Sequence, residues 1–570
     1  MKKDLTEWKV ITSDVLIVGG GYGGLWSAIK ATEGGCSVTL VDKSFAGKSG
    51  HSYFASGARM ALLPGDDLDQ YISDIVMGNE WLVDQQMVAA VFEGSYERLK
   101  DTESFGINFR KEKGEYIWTK ARGTKQVKNL WPENATASEE VTLLRKVAIH
   151  RGVQFIDHVY VYGLVKDQNG HIGGALGFGV RDQRDYLFKA KSTVLATNTG
   201  GYKGHHLASE LQGTGPFMAY DAGAKIKNPE FHYINIRPFN HEIEGSGILP
   251  AMGGRWMNAR GEYYMEGYDP ILKDRAPVYR IVLASAKEAM KGRAPISIDV
   301  RSMSEEDRKK FRLLMVSHGW QPILFEKCKK EEGYDILRDN IEWKPAYESN
   351  KLGIDTTLDG RTSLEGLFAA GMARILGINP FTGWSIASCT WSGHVAGRSA
   401  SEYARRGDFK EIDASSWADQ REKFYGPLKQ VSGVNPDRLI RELQEILFPA
   451  DVLIIMAGPR LKKALDRVLH LKEENLQSLK ASDMRSLIRA REAQTMVLSA
   501  EMTLRASLLR EETRESIFYR EDYPSPDNEN GLKWIVVQKS REGEMEFSTE
   551  EIPFARYRSR PRFLKKARNL

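Results

Sequence analysis

The stretch Ser13–Ser44, SDVLIVGGGYGGLWSAIKATEGGCSVTLVDKS, decides the fold. Val15 to Val18 form a continuous apolar run, the mark of a strand covered on both faces within a parallel sheet. Gly19, Gly21 and Gly24 follow as a GxGxxG turn. The first glycine makes the bend, the second lets backbone meet a pyrophosphate, and the third lets a helix pack close against the strand. A second strand ends in Asp42, spaced to accept hydrogen bonds from an adenosine ribose. A lone glycine pattern is weak, but strand, turn, helix, strand and acid together specify a dinucleotide-binding fold.

Working outward, 570 residues allow several compact units. With 41% hydrophobic and 28% charged residues the composition is that of an ordinary globular protein. No apolar run is long enough for a spanning helix. The start, MKKDLTEWKVITSD, lacks an apolar segment behind its lysines, so the expected location is cytoplasmic. A net charge of +5 on so long a chain does not point to nucleic acid. Cys36, Cys328 and Cys389 have no CxxC spacing, which argues against zinc or an iron–sulfur cluster held by this chain alone. No metal site is expected. The basic end, FARYRSRPRFLKKARNL, is expected to be solvated or a docking tail.

The run AKSTVLATNTGGYKG gives a second buried strand followed by glycines, and alternation in VQFIDHVYVYGLVKDQNGHIGGALGFGVRD predicts an antiparallel meander before it. Residues 226–349 change character, with many aromatics and a charged helix at SEEDRKKFRLLMVSHGW, and predict an inserted α+β cap. GLFAAG and the helix from about Thr382 return to the nucleotide fold. Beyond about residue 410 the pattern is helical, with a stripe at Leu487, Ala490, Ala493, Val497, Ala500, Leu504 and Leu508. The expected architecture is α/β: a Rossmann-like FAD-binding domain in two parts (1–225 and 350–405), a cap (226–349), a helical domain (406–522) and a C-terminal extension (523–570).

The fingerprint, the KSGHS loop at residues 48–52, VLAT, the cap insertion, GLFAAG and a helix opening on glycine resemble the flavoproteins of succinate dehydrogenase and fumarate reductase. That superfamily includes L-aspartate oxidase and the α subunit of adenylylsulfate reductase. The resemblance runs from about Asp14 to Arg405, and LLREETRESIFYREDYP is similar to the family's Arg-rich C-terminal region. It implies FAD, with contacts from Gly19, Gly21, Gly23, Gly24, Asp42, Lys43, Ser49, Gly50, His51, Ser52, Gly57, Ala196, Thr197, Gly371, Gly383, Ser385 and Ile386. His51 stands where succinate dehydrogenases and fumarate reductases carry a histidine covalently bonded to the flavin. Both a covalent bond and a ring packed beside noncovalent FAD remain open. The helix start at Thr382–Ser385 would oppose negative charge on reduced flavin. Met372 stands where the family usually has an acid touching the ribityl chain.

The family's dicarboxylate site uses two histidines and two arginines. Asn235 stands at the first histidine, Tyr347 or Glu348 at the second, and Pro380 at one arginine. Each missing charge-assisted hydrogen bond is worth about 1.5–3 kcal/mol, so succinate and fumarate are not the expected substrates. Arg275 matches the cap arginine that moves the proton, with Arg280 near it. That role requires a desolvated pocket, and the alternative is an ion pair with Asp269 or Asp274. Arg237 could bind an anion, and Trp384 could stack on a planar substrate or simply pack. His232, His241, His205 and His206 are expected to be surface or satisfied core histidines.

These residues imply an FAD oxidoreductase moving a hydride between flavin N5 and a small organic substrate, by C=C reduction or C–C dehydrogenation. It would exchange electrons with a separate iron–sulfur or quinone-linked partner. The alternatives are an adenylylsulfate reductase α-like subunit with flavin–sulfur chemistry, or a flavin electron-transfer subunit without its own substrate.

Overall fold

The computed structural model describes residues 8–121, 123–133, 136–204, 211–238, 246–316, 321–379, 381–412, 414–514 and 517–553. His205, His206, His241, Pro380 and the basic tail lie outside them. A seven-stranded sheet carries the nucleotide fold. Its order is Gln154–Asp157, Val38–Asp42, Lys9–Val18, Asp185–Leu195, Ile172–Gly179 and Val159–Lys166, and Leu367–Ala369 pairs with the end of Asp185–Leu195. Val15, Leu16, Ile17 and Val18 are buried, as a strand sandwiched by helices must be.

The segment Gln154–Asp157 is not part of the meander but runs parallel to Val38–Asp42. The helix Ala137–His150 precedes it, and a helical crossover is what permits a parallel return. The antiparallel strands are the three from Val159 to Leu195.

Two helices cover this sheet in backbone contact. Tyr22–Glu33 and Trp384–Arg406 run parallel, with Gly23 against Gly393, Ser27 against Gly397, and Gly34 against Ser401. A Cβ on Gly393 would stand 2.4 Å from the Gly23 carbonyl oxygen, and one on Gly397 would stand 2.3 Å from that of Ser27. The Ser27 hydroxyl donates to the Gly393 carbonyl at 3.1 Å. From this crossing, Trp384–Arg406 extends eight residues further toward its N-terminus, a stagger of about 12 Å at helical rise.

Within residues 226–349, His232–Pro238, Glu342–Asn350, Ile296–Asp299 and Arg255–Met257 form an antiparallel sheet backed by Val278–Met290. Pro436–Leu447, Gly458–Asn475 and Met484–Leu509 pack together, and the stripe from Leu487 to Leu504 is fully buried. The last strands, Lys533–Lys539 and Met545–Glu551, are integrated with the body, because Lys533–Lys539 pairs with Ile226–Lys227 where the chain leaves for the cap sheet.

A buried ionic chain ties this junction. Arg510 holds Glu230 at 2.7 Å and Glu512 at 2.8 Å, and Arg514 holds Glu512 at 2.6 Å. All four side chains are buried, so removing one partner strands its neighbour's charge at a cost of about 3–5 kcal/mol. Arg510→Met is therefore expected to lower the thermal midpoint markedly, read by circular dichroism, whereas the same change at exposed Arg438 should leave it near the wild-type value.

Candidate active site

The glycine turn leaves space for a ligand because its backbone is packed to contact. A Cβ on Gly24 would lie 1.8 Å from the Gly19 carbonyl oxygen, and one on Gly23 would lie 2.7 Å from the Gly371 nitrogen. Gly19 has φ +105°, a conformation that favours glycine. Neither the helix from Tyr22 nor that from Trp384 has a side-chain hydrogen bond from its N-cap, Gly21 or Gly383. Such N–H groups and the helix dipole suit an anion. The Asp42 carboxylate accepts from Gly20 N at 2.8 Å and Ser44 N at 2.7 Å. Burial raises its pKa, and its remaining lone pairs can still accept from a ribose.

The loop after Asp42 folds back over the turn. Gly47 N donates to the Gly20 carbonyl at 2.9 Å, and Tyr22 N donates to the Ser52 hydroxyl at 3.3 Å. Ser49 bonds to the Phe45 backbone, Gly57 lies against Pro132, and Lys43 follows Asp42 directly. Gly50 opens the short helix Gly50–Phe54, on which the His51 ring is exposed. Ala196 N donates to the Val18 carbonyl at 2.8 Å, and the buried Thr197 Oγ1 has no hydrogen-bond partner among the described residues. At the second helix start, Thr382 and Ser385 are exposed and Ile386 is buried. This glycine cradle, with its acid and two helix starts opened by glycine, fits a dinucleotide extended from the first helix start to the second. Met372 is partly buried beside Gly371 and packs with the Trp384 core.

Across from it stands the cap sheet. A β-bulge opposite Tyr233 and Ile234 makes Glu348 the extra residue of its strand. Glu348 lies on the face shared by Asn235 and Arg237 and accepts from Asn235 Nδ2 at 3.0 Å and Arg237 Nη2 at 2.7 Å. All three are buried. Of the two residues considered for the second histidine's place, Glu348 is the one that meets Asn235 and Arg237. Tyr347 packs instead against Tyr202 and His232, with ring centroids at 5.0 and 5.6 Å, and donates to Asn350 Oδ1. Arg237, expected as an anion binder, is bound to Glu348. Trp384 is a core residue: its indole N–H donates to the Leu376 carbonyl at 2.5 Å and its ring packs on Phe92. His232 is also in the core, with its Nε2 at hydrogen-bond distance from the Leu453 carbonyl, and burial pushes it down to about 4.

The two cap arginines differ from expectation in their surroundings. Arg275 ends the 3-10 turn Lys273–Arg275 with its side chain exposed, not in a desolvated pocket. The acids considered as its partners are taken: Asp274 accepts from Trp256 N at 2.7 Å and Arg255 at 3.4 Å, and Asp269 lies 3.8 Å from Arg280.

Sequence reasoning missed Lys351. It follows the bulged strand, is nine-tenths buried, and has Glu348 and Cys389 as electrostatic neighbours. Burial pushes its ammonium down to about 8. The signal was present as a lysine amid the otherwise uncharged NKLG run.

The pattern described as "FAD binding domain" matches residues 14–386, and that described as "Fumarate reductase flavoprotein C-term" matches residues 440–568. The chain belongs to the FAD-binding family of fumarate reductase and succinate dehydrogenase flavoproteins. It is an FAD-dependent oxidoreductase. One of the subunits of the fumarate reductase (CoM/CoB) of Methanothermobacter marburgensis is 27% identical to this flavoprotein, covering 91% of this chain and 96% of its own. E. coli quinol fumarate reductase FrdA shares the fold, with TM-score 0.85 and 21% identity over 95% of this chain and 97% of its own. Adenylylsulfate reductase from Archaeoglobus fulgidus does so with TM-score 0.79 and 22% identity over 96% of each chain. No helix among the described residues is long and apolar enough to cross a membrane.

Asp42→Ala is expected to weaken FAD binding roughly 10- to 100-fold, the value of about 1.5–3 kcal/mol for hydrogen bonds to a charged group. Reconstitution of flavin-stripped protein, followed by fluorescence quenching, measures this.

Proposed function

We propose that this flavoprotein reduces or forms a carbon–carbon double bond in an organic substrate that is not a simple dicarboxylate. The observation that carries this is the pairing of Glu348 with Asn235 and Arg237. Where relatives of this kind are expected to bind substrate carboxylates, an acid of the protein itself occupies the arginine. A dicarboxylate would bring two further negative charges, and an unpaired buried charge costs several kcal/mol.

When bound, FAD supplies the hydride acceptor or donor at N5. The rest is done by the chain. The helix start at Gly383 opposes negative charge near the cofactor, and the cap sheet carries the substrate-facing groups. Arg275 remains the proposed proton carrier, and from its exposed position it must lose solvent on substrate binding before it can serve. Arg280 would be held by Asp269. His51 is the side chain that would carry a covalent bond to the flavin; if it does, acid-precipitated protein stays yellow in the pellet and His51→Ala releases the colour.

Electrons would pass to or from an iron–sulfur or quinone-linked partner in the cytoplasm. Three scattered cysteines cannot supply the four thiolates of a cluster, and the Methanothermobacter relative is named as one part of a larger enzyme.

Anaerobic reduction followed by mixing with candidate acceptors tests the proposal. Reoxidation by a small unsaturated organic acceptor, without any partner, is expected; reoxidation by redox proteins alone would make the chain an electron carrier. Arg275→Ala should abolish the organic reaction, a loss of about 100-fold or more for a missing proton donor, with flavin still bound. Unchanged turnover would remove Arg275 from the chemistry.

A further inference from the structure

We propose that Lys351 is the sole anchor for an anionic group on the substrate, so that the site takes an organic monocarboxylate in preference to a dicarboxylate. This rests on the oxidoreductase proposed above and names its substrate class.

The geometry begins at the end of the bulged strand. Lys351 N donates to the Phe231 carbonyl at 2.8 Å, which fixes the backbone across the sheet. The side chain passes over the Tyr233 ring, 5.3 Å from its centroid. Cys389, on the helix that starts at Gly383, is one of its electrostatic neighbours. Cys389 Sγ is near Gly371, where an added Cβ would stand 3.8 Å from it, and Gly371 touches Gly23 of the dinucleotide turn. Its charge is thus coupled to the cap sheet and to the helix that opens on the cofactor cradle, the two surfaces a substrate must meet.

Lysine is almost never this buried unless paired. Yet the Lys351 ammonium has neither a hydrogen bond nor an ion pair among the described residues, only the Tyr233 face. Burying a charge without a partner is costly, so an uncompensated ammonium marks the place of an anion that comes from outside.

Counting the charges around it fixes the stoichiometry. Glu348, from the same strand, is bound by Arg237 and Asn235 of the neighbouring strand. Those two charges cancel. Cys389, from the flavin helix, is held neutral because burial pushes its thiol up to about 12. Tyr233 offers only its ring face. Around Lys351 one positive charge is therefore left over, which one carboxylate balances, while Arg275 is taken by the proton.

The pH dependence has a definite sign. Lys351 is cationic below its lowered pKa of about 8 and neutral above it, so anion binding should be intact at pH 7 and fall as pH rises through 8.

Oxidised full-length holoprotein is titrated with crotonate, cinnamate and fumarate, following the flavin absorbance perturbation together with calorimetric heat. At pH 7 at least one monocarboxylate should bind about tenfold or more tightly than fumarate, as expected for one charge-assisted contact against an unpaired second charge. Lys351→Met should weaken that binding by at least about tenfold while leaving flavin content unchanged, and Lys351→Arg should retain it and remove the loss above pH 8. Tighter binding of fumarate, no binding of either monocarboxylate, an unaltered affinity in Lys351→Met, or a flat pH profile in the wild type would each overturn the inference. A Lys351→Met protein that changes the flavin potential but not the anion affinity would overturn it too, by making the lysine a partner of the cofactor. Failure of the oxidoreductase proposal is distinct: monocarboxylates would bind as expected while no small organic acceptor reoxidised the reduced protein.

Discussion

The structure depends on the backbone-to-backbone contact of two parallel helices, Tyr22–Glu33 and Trp384–Arg406, which come from opposite ends of the nucleotide fold. Only glycine at residues 23, 393 and 397 allows it, because each added Cβ would collide with main chain of the other helix or of Gly371. Parallel packing points both helix N-termini the same way, and the stagger between them spreads two positive ends along one line. A dinucleotide laid along that line would meet the first with its phosphates and the second with its ring. The insertion of the cap between Leu195 and Leu367 leaves this contact intact, since the strands on either side of the insertion pair in parallel.

The cap contributes chemistry by a similar local device. Glu348 follows Ala346 and Lys344, the partners of Asn235 and Arg237, on one face of the ladder by plain alternation. The bulge comes at Glu348 itself, which the ladder leaves unpaired and free to meet both. The consequence is electrostatic: Arg237 is neutralised by Glu348 inside the protein, while Lys351, three residues beyond Glu348, is buried against the Tyr233 ring. At the foot of the cap, Glu230 and Arg510 fasten the same sheet to the C-terminal region, so the position of this charge set is tied to the body of the molecule.

Much of this was legible in the sequence because it is governed by short-range rules. The glycine turn, the buried strands from Val15 and Val194, the helical stripe from Leu487 and the helix opening at Gly383 follow from periodicity and backbone requirements. Gly393 and Gly397, spaced one helical turn apart, carry the helix contact, and the sequence reading did not single them out. What sequence could not supply was anything set by partners across a sheet. The pairing of Glu348 with Asn235 and Arg237, the commitment of Trp384 to an internal bond, and the exposure of Arg275 all depend on which long-range neighbours arrive. Lys351 was hidden for the same reason: a lysine counts as surface until its surroundings are known. Gln154–Asp157 was misassigned because alternation does not distinguish a parallel edge strand from a hairpin strand.

The most direct measurement is the visible spectrum and flavin stoichiometry of the purified chain, before and after incubation with FAD. The two-helix cradle predicts a yellow protein holding one FAD per chain. A properly folded protein that is colourless and stays so after incubation would contradict the account at its base.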